Sequence, residues 1–194
     1  MYLTDMSSDL TPTARVILGM LRLGARTGYE IKQAIDLSTR FFWSASYGQI
    51  YPELHRLEER GLVKARPNPR GGVKRTAYRL TKAGEAALHE WLTDAESFAF
   101  ELRDEHLLRF FFGDVLAREE VVTNLRVQQR FCELVLEQFR RLEPDARTGF
   151  MEETQLYPYL ALVHGIEFMA WRRDWCERTA DQIERGELPP PPLP

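Results

Sequence analysis

Ser46, Tyr47, Gln49, Tyr51 and His55 fall within ten residues, and each can donate or accept a hydrogen bond. Ser46 followed three residues later by Gln49 fits a capping box, which starts a helix. Ile50, Leu54, Leu57 and Gly61 recur at helical spacing, so one side is buried and Tyr47, Tyr51, His55 and Glu59 stand on outer or flanking sides. Such a surface suits contact with base edges and phosphates: Gln49 and His55 can read bases, while Ser46, Tyr47 and Tyr51 are better placed for the backbone. Gly61 ends the helix. Two short strands, 62–66 and 74–80, then flank Pro67-Asn68-Pro69-Arg70-Gly71-Gly72, which reads as a loop. Helix, strand, charged glycine turn and strand make a winged helix-turn-helix.

Charge points the same way. From Arg56 to Lys82 there are nine Lys or Arg against two acids, although the chain carries a net charge of -3. Residues 1–94 hold 14 basic and 10 acidic side chains, a net of +4, and the remainder holds 12 and 19, a net of -7. A phosphate backbone rewards such segregation, because each cation that neutralises a phosphate releases condensed counterions. Arg70, Lys74 and Arg75 at the turn are the expected contacts to backbone or minor groove of double-stranded DNA. A solvated hairpin also carries long charged side chains on its edges. The coincidence of a cationic tip with a helix of this type favours DNA.

These residues need a scaffold. Thr11-Pro12 opens a first helix through Val16, Ile17, Leu18, Met20, Leu21 and Leu23, closed by Gly24. Thr27 and Glu30 form a second capping box, with Tyr29, Ile31, Ala34, Ile35 and Leu37 as the apolar side of the next helix. Phe41-Phe42-Trp43 is expected to plug the gap between helices. Pro52 lies inside the third helix and is expected to end its strict geometry near Tyr51 and push that tyrosine outward. Thr81 caps a fourth helix through Ala83, Ala87, Leu88, Trp91 and Leu92.

Ser46, Gly48, Ile50-Tyr51-Pro52, Leu54, Leu57-Glu58 and Gly61-Leu62-Val63, with Tyr78-Arg79-Leu80-Thr81 and Gly84, resemble the signature of PadR-type transcriptional regulators. Gly28-Tyr29-Glu30 also fits, and Glu101 to Glu105 with Leu107-Leu108 and Phe110-Phe111-Phe112 resembles the start of the helical C-terminal domain of the long members. Ala77 departs from the pattern, since many relatives place a second aromatic beside Tyr78. The resemblance implies a DNA-binding regulator, here expected to repress, whose helical tail makes a homodimer on a pseudo-palindromic operator. It also implies a phenolic or drug-like effector.

The tail has two stripes of its own. Val121, Leu125, Gln128, Cys132, Val135, Phe139 and Leu142 alternate at spacings of three and four, as do Tyr157, Ala161, His164, Phe168, Trp171 and Trp175. Each stripe can face a neighbouring helix of the same chain or a second subunit; the small size of a three-helix tail favours a dimer contact through Leu125, Cys132, Phe139 and Phe168. His164 is expected to be a hydrogen-bonded core histidine. A small planar aromatic effector is expected between tail and winged helix, near Trp91, Phe98, Phe100, Trp171 and Trp175, although those rings also suit a core.

The expected fold class is mostly α, an α+β winged helix-turn-helix over 1–94, a helical dimerisation domain over 95–187 and a proline-rich tail over 188–194. Cys132 and Cys176 lack CxxC spacing and read as buried reduced thiols, and four scattered histidines give no metal site. No cofactor is expected. No nucleophile elbow, phosphate loop or carboxylate pair supports an enzyme. No apolar run approaches the length of a membrane span, and Met1 to Leu10 carries Asp5 and Asp9 rather than a basic then apolar pattern, so a cytoplasmic location is expected. A winged helix can also serve as a protein-docking module, and the charge of the wing speaks against that alternative.

Overall fold

In a computed structural model the described residues are 10–68, 75–94, 103–151 and 155–187. The chain divides into two compact units, Met1–Ala99 and Phe100–Pro194.

The first unit is a three-helix core closed by a two-stranded wing and a fourth helix. Helix α1 spans Pro12–Arg22, with the Thr11 hydroxyl accepting from Ala14 N–H. Helix α2 spans Gly28–Leu37 under a Thr27 cap. The Glu30 carboxylate reaches back not to Thr27 but to the N–H of Arg26, at 2.7 Å. Helix α3 spans Tyr47–Glu59 and presents Ile50, Leu54 and Leu57 to the core, as its periodicity predicts. Ile17, Leu18, Ile31, Ile35 and Leu62 are the largest of the fully buried side chains that meet them there.

Three expectations are corrected. The helix α3 runs unbroken through Pro52: the residue lies one turn in, and its missing N–H costs only the bond to Gly48. Tyr51 is nonetheless exposed. Phe41-Phe42-Trp43 does not plug the core, since Phe42 is 67% and Trp43 43% exposed; the small Ala45 takes the buried place instead. Strand β1 spans Val63–Asn68 and pairs antiparallel with β2, Arg75–Leu80, so Pro67 and Asn68 belong to the ladder opposite Thr76 and Arg75 rather than to the loop. In a ribbon of two strands both are edges, and an edge tolerates a proline.

Gly61 takes φ +70° just after α3. The Leu62 N–H then bonds to the Leu57 carbonyl at 2.9 Å and Gly61 N–H to that of Glu58 at 2.9 Å, a Schellman ending that turns the chain sharply into β1. The wing is fastened at its base: Tyr78 N–H donates to the Arg26 carbonyl at 2.6 Å, and the Thr81 hydroxyl to the Gly61 carbonyl at 2.7 Å. Helix α4, Lys82–Thr93, packs so closely here that a Cβ on Gly84 would lie 2.0 Å from the Leu62 carbonyl oxygen.

In the second unit a short helix α5, Glu105–Phe111, and a 3-10 turn, Gly113–Val115, precede two long helices, α6 over Arg118–Met151 and α7 over Leu156–Arg185. Leu125, Gln128, Cys132, Val135 and Phe139 are buried along α6, where it packs on α7 of the same chain. Arg126 ties the pair to Asp181 at 2.5 Å and Glu184 at 3.1 Å. The second stripe lies mostly outside: Tyr157, Phe168 and Trp171 are exposed. His164 is exposed too and stacks flat on Phe168, at 6.5 Å, which corrects its expected core role. Cys132 and Cys176 are buried free thiols.

Candidate nucleic-acid interface

The outward side of α3 carries Ser46, Tyr47, Gln49, Tyr51 and His55, all exposed. They are held from behind. Tyr47 and Tyr51 stack at 6.1 Å and 20°, and Lys32 of α2 places its ammonium 5.9 Å from the Tyr47 ring while ion-paired to Asp36. On the inward side Glu53 is buried and accepts from the Thr11 hydroxyl at 2.9 Å and from Arg56 at 3.1 Å, which locks α3 to the start of α1.

Gln49 has a double duty. Its side-chain oxygen accepts from the Ser46 N–H at 2.9 Å and from the Ser46 hydroxyl at 3.1 Å. The amide NH2 is thus the part offered outward; a bidentate grip on adenine, which needs both ends, would require Gln49 to leave its cap. His55 has no such engagement among the described residues.

The wing adds cations that spacing alone had not marked. Register sets Lys64 opposite Arg79, and both are exposed on the face turned away from buried Val63 and Tyr78. Arg66 is exposed on that same face. Like charges directly opposite one another destabilise a ribbon, and a phosphate between them relieves it. Strand alternation around Val63 and Tyr78 was the signal for this pair. Arg75 opens β2, whereas Arg70 and Lys74 lie outside the described residues. Tyr78 behind the wing is buried, and burial followed by the nearby Glu58 and Tyr51 raises its hydroxyl pKa, so it stays a neutral spacer.

Of the residues expected around an effector, Trp91 belongs to the first unit and Trp171 and Trp175 to the second. Trp91 packs against the first unit's core with the Arg15 guanidinium 5.6 Å from its ring. Phe98 and Phe100 lie outside the described residues. Trp171 and Trp175 line a cavity of about 360 Å³ within the second unit, between α5, α6 and α7. Its polar end was not visible in the sequence: Asp104, Gln128 and Arg172 come from three separate elements. Asp104 caps α5, accepting from the His106 and Leu107 N–H groups at 3.1 Å each, and is ion-paired to Arg172. Burial pushes its carboxyl up, but the Leu107 N–H, Arg172 and the His106 N–H outweigh it and hold the pKa below the ordinary value. Cys176 on the wall is pushed up to about 11 by burial and by neighbouring Cys132, so it is a thiol rather than a thiolate.

A family model described as the transcriptional regulator PadR-like family matches residues 17–90, and one described as the virulence activator alpha C-terminal domain matches 102–184. The negative transcriptional regulator PadR of Bacillus subtilis is 29% identical over 174 residues, covering 87% of this chain and 96% of that one. The crystal structure of Bacillus subtilis PadR in complex with operator DNA aligns with a TM-score of 0.81 at 27% identity, over 90% of this chain and 99% of that one. The same regulator in complex with p-coumaric acid aligns with a TM-score of 0.69 at 26% identity, over 90% and 98%.

Proposed function

From the premise that the chain belongs to the PadR-like family of transcriptional regulators, we propose that it is a repressor which binds a pseudo-palindromic operator as a homodimer and releases it when a small aromatic molecule binds. The observation that carries the DNA reading is the polar, aromatic face of α3 beside the cationic pair Lys64 and Arg79, which has no acidic partner among the described residues. A helix of this kind enters the major groove while the wing follows the backbone. The relative's operator complex supports the DNA half of the proposal, and its p-coumaric acid complex supports an effector with an aromatic ring, the charge this chain accepts being set by its own cavity. A regulator of this kind works in the cytoplasm, and among the described residues no helix is long and apolar enough to cross a membrane. Selection of bound fragments from the source genome tests the reading; recovery of random fragments alone would sink it in favour of a docking module.

Base discrimination should reside in His55 or Gln49. Replacing either is expected to cost about 1–3 kcal/mol at particular operator positions, with His55 the larger, since Gln49 is tied into its cap. Binding titrations on single-base operator variants measure this, and equal weakening on operator and random DNA would make both residues phosphate contacts.

The dimer reading rests on apolar surface that one chain leaves open. Tyr157, Leu160, Phe168 and Trp171 on α7 and Phe111 and Val115 near α5 are exposed large apolar side chains of the second unit, of the kind an association surface covers. Light scattering at micromolar concentration should give twice the 22.7 kDa chain mass, and Tyr157→Glu with Leu160→Glu should halve it. Charges at Leu125 or Phe139 are expected instead to unfold the second unit, because both are buried within the chain. A monomeric wild type would remove the proposal.

A further inference from the structure

The cavity between α5, α6 and α7 has two unlike ends. One is aromatic: Phe110 meets Trp175 edge-on at 5.4 Å, and Phe168 stacks on Trp171 at 6.0 Å. The other is polar and closed upon itself. Arg172 and Asp104 form an ion pair whose side chains are 16% and 10% exposed. The amide of Gln128, itself buried, spans from the Arg172 Nε at 2.8 Å to the His106 Nε2 at 3.0 Å when its oxygen faces the guanidinium, the orientation that satisfies both partners.

This arrangement decides the charge of a guest. An aromatic acid would have to draw Arg172 away from Asp104, leaving a buried carboxylate unpaired, or stand beside that carboxylate as a like charge. Arg109, the other cation on the wall, is 62% exposed and engaged by Glu105 at 3.1 Å. His106 and the Gln128 NH2 remain as hydrogen-bonding groups for a guest. The volume of about 360 Å³ lies at the lower end of the range for small-molecule sites, about 300–1,000 Å³, and suits two or three fused rings.

We propose that this cavity is a binding site for an uncharged planar aromatic molecule of two or three rings, held by ring contacts to Phe110 and Trp175 and by one hydroxyl or carbonyl at the His106 and Gln128 end, and that the Asp104–Arg172 pair excludes aromatic acids. The site rests on the regulator reading only for its consequence at the operator; occupancy is measured without DNA.

A matched pair of probes tests it on the full chain by calorimetry: 2-naphthol, uncharged at neutral pH, and 2-naphthoate. Wild type should prefer 2-naphthol by about tenfold or more. Asp104→Asn keeps a residue that caps helices and frees the Arg172 charge, so it should reverse the preference. Tighter or equal binding of 2-naphthoate to wild type, or binding of neither probe, overturns the proposal. If Asp104→Asn does not fold, nuclear Overhauser contacts decide on the wild type: contacts from 2-naphthol to the Phe110 and Trp175 rings support the site, and contacts elsewhere overturn it. Binding of 2-naphthol without release of operator would count against effector control while the site stands, and failure to bind leaves DNA recognition unaffected.

Discussion

Changing Arg70, Lys74 and Arg75 together to Ala is expected to flatten the slope of log affinity against log salt by about 2.7, since each phosphate contact on duplex DNA contributes about 0.9. The loss should be nearly the same on operator and on random DNA, because phosphate contacts position the protein without reading sequence. Adding Lys64→Ala and Arg79→Ala separates two arrangements of the wing. A further drop means that the outward face of the ribbon follows the backbone as well as its tip. An unchanged slope for the triple variant, measured between about 50 and 200 mM salt, would put the tip off the DNA.

Gly84→Ala should destabilise the first unit by about 3 kcal/mol or more, against the direction that helix propensity predicts. Alanine is favoured over glycine inside a helix by about 1 kcal/mol. Here, however, the new methyl would meet the Leu62 carbonyl oxygen at 2.0 Å. That oxygen is fixed by bonds from the Thr81 N–H and hydroxyl, both at 3.1 Å, so strand β1 and helix α4 would have to part. Overpacking of this sort costs about 1–3 kcal/mol and sometimes more. For a unit of this size about 3 kcal/mol lowers Tm by roughly 12–24 °C. A midpoint within about 2 °C of wild type in thermal denaturation followed by circular dichroism would show that the close approach yields at little cost.

The first unit was largely written in its periodicity, because its helices are short, capped by Thr11, Thr27, Ser46 and Thr81, and each buries one plain apolar side. What stayed hidden depends on neighbours rather than on spacing. Phe42 and Trp43 look like core residues by type, yet Ala45 is the one that fits beneath α3. Glu53 looks like a surface acid, yet the Thr11 hydroxyl and Arg56 satisfy it in the interior. The α6 stripe was plain, but whether it faced another subunit or α7 could not be told from one helix alone. The polar end of the cavity was invisible because residues 104, 128 and 172 come together only when three helices pack.

The order in which the two units can close has a consequence during synthesis. Among the described residues the first unit's core draws on nothing beyond Trp91, so it can form on the ribosome while the rest is being made. The α6 seam is different, because its ties reach across 55 residues to Asp181. At about 5–20 residues per second, the 34 residues from Met151 to Arg185 take roughly 2–7 s to emerge. For that interval Leu125, Cys132, Val135 and Phe139 have a finished helix and no partner in their own chain. If two such chains emerge side by side, each α6 can accept the other's α7, and exchange then competes with correct pairing in time rather than in final energy.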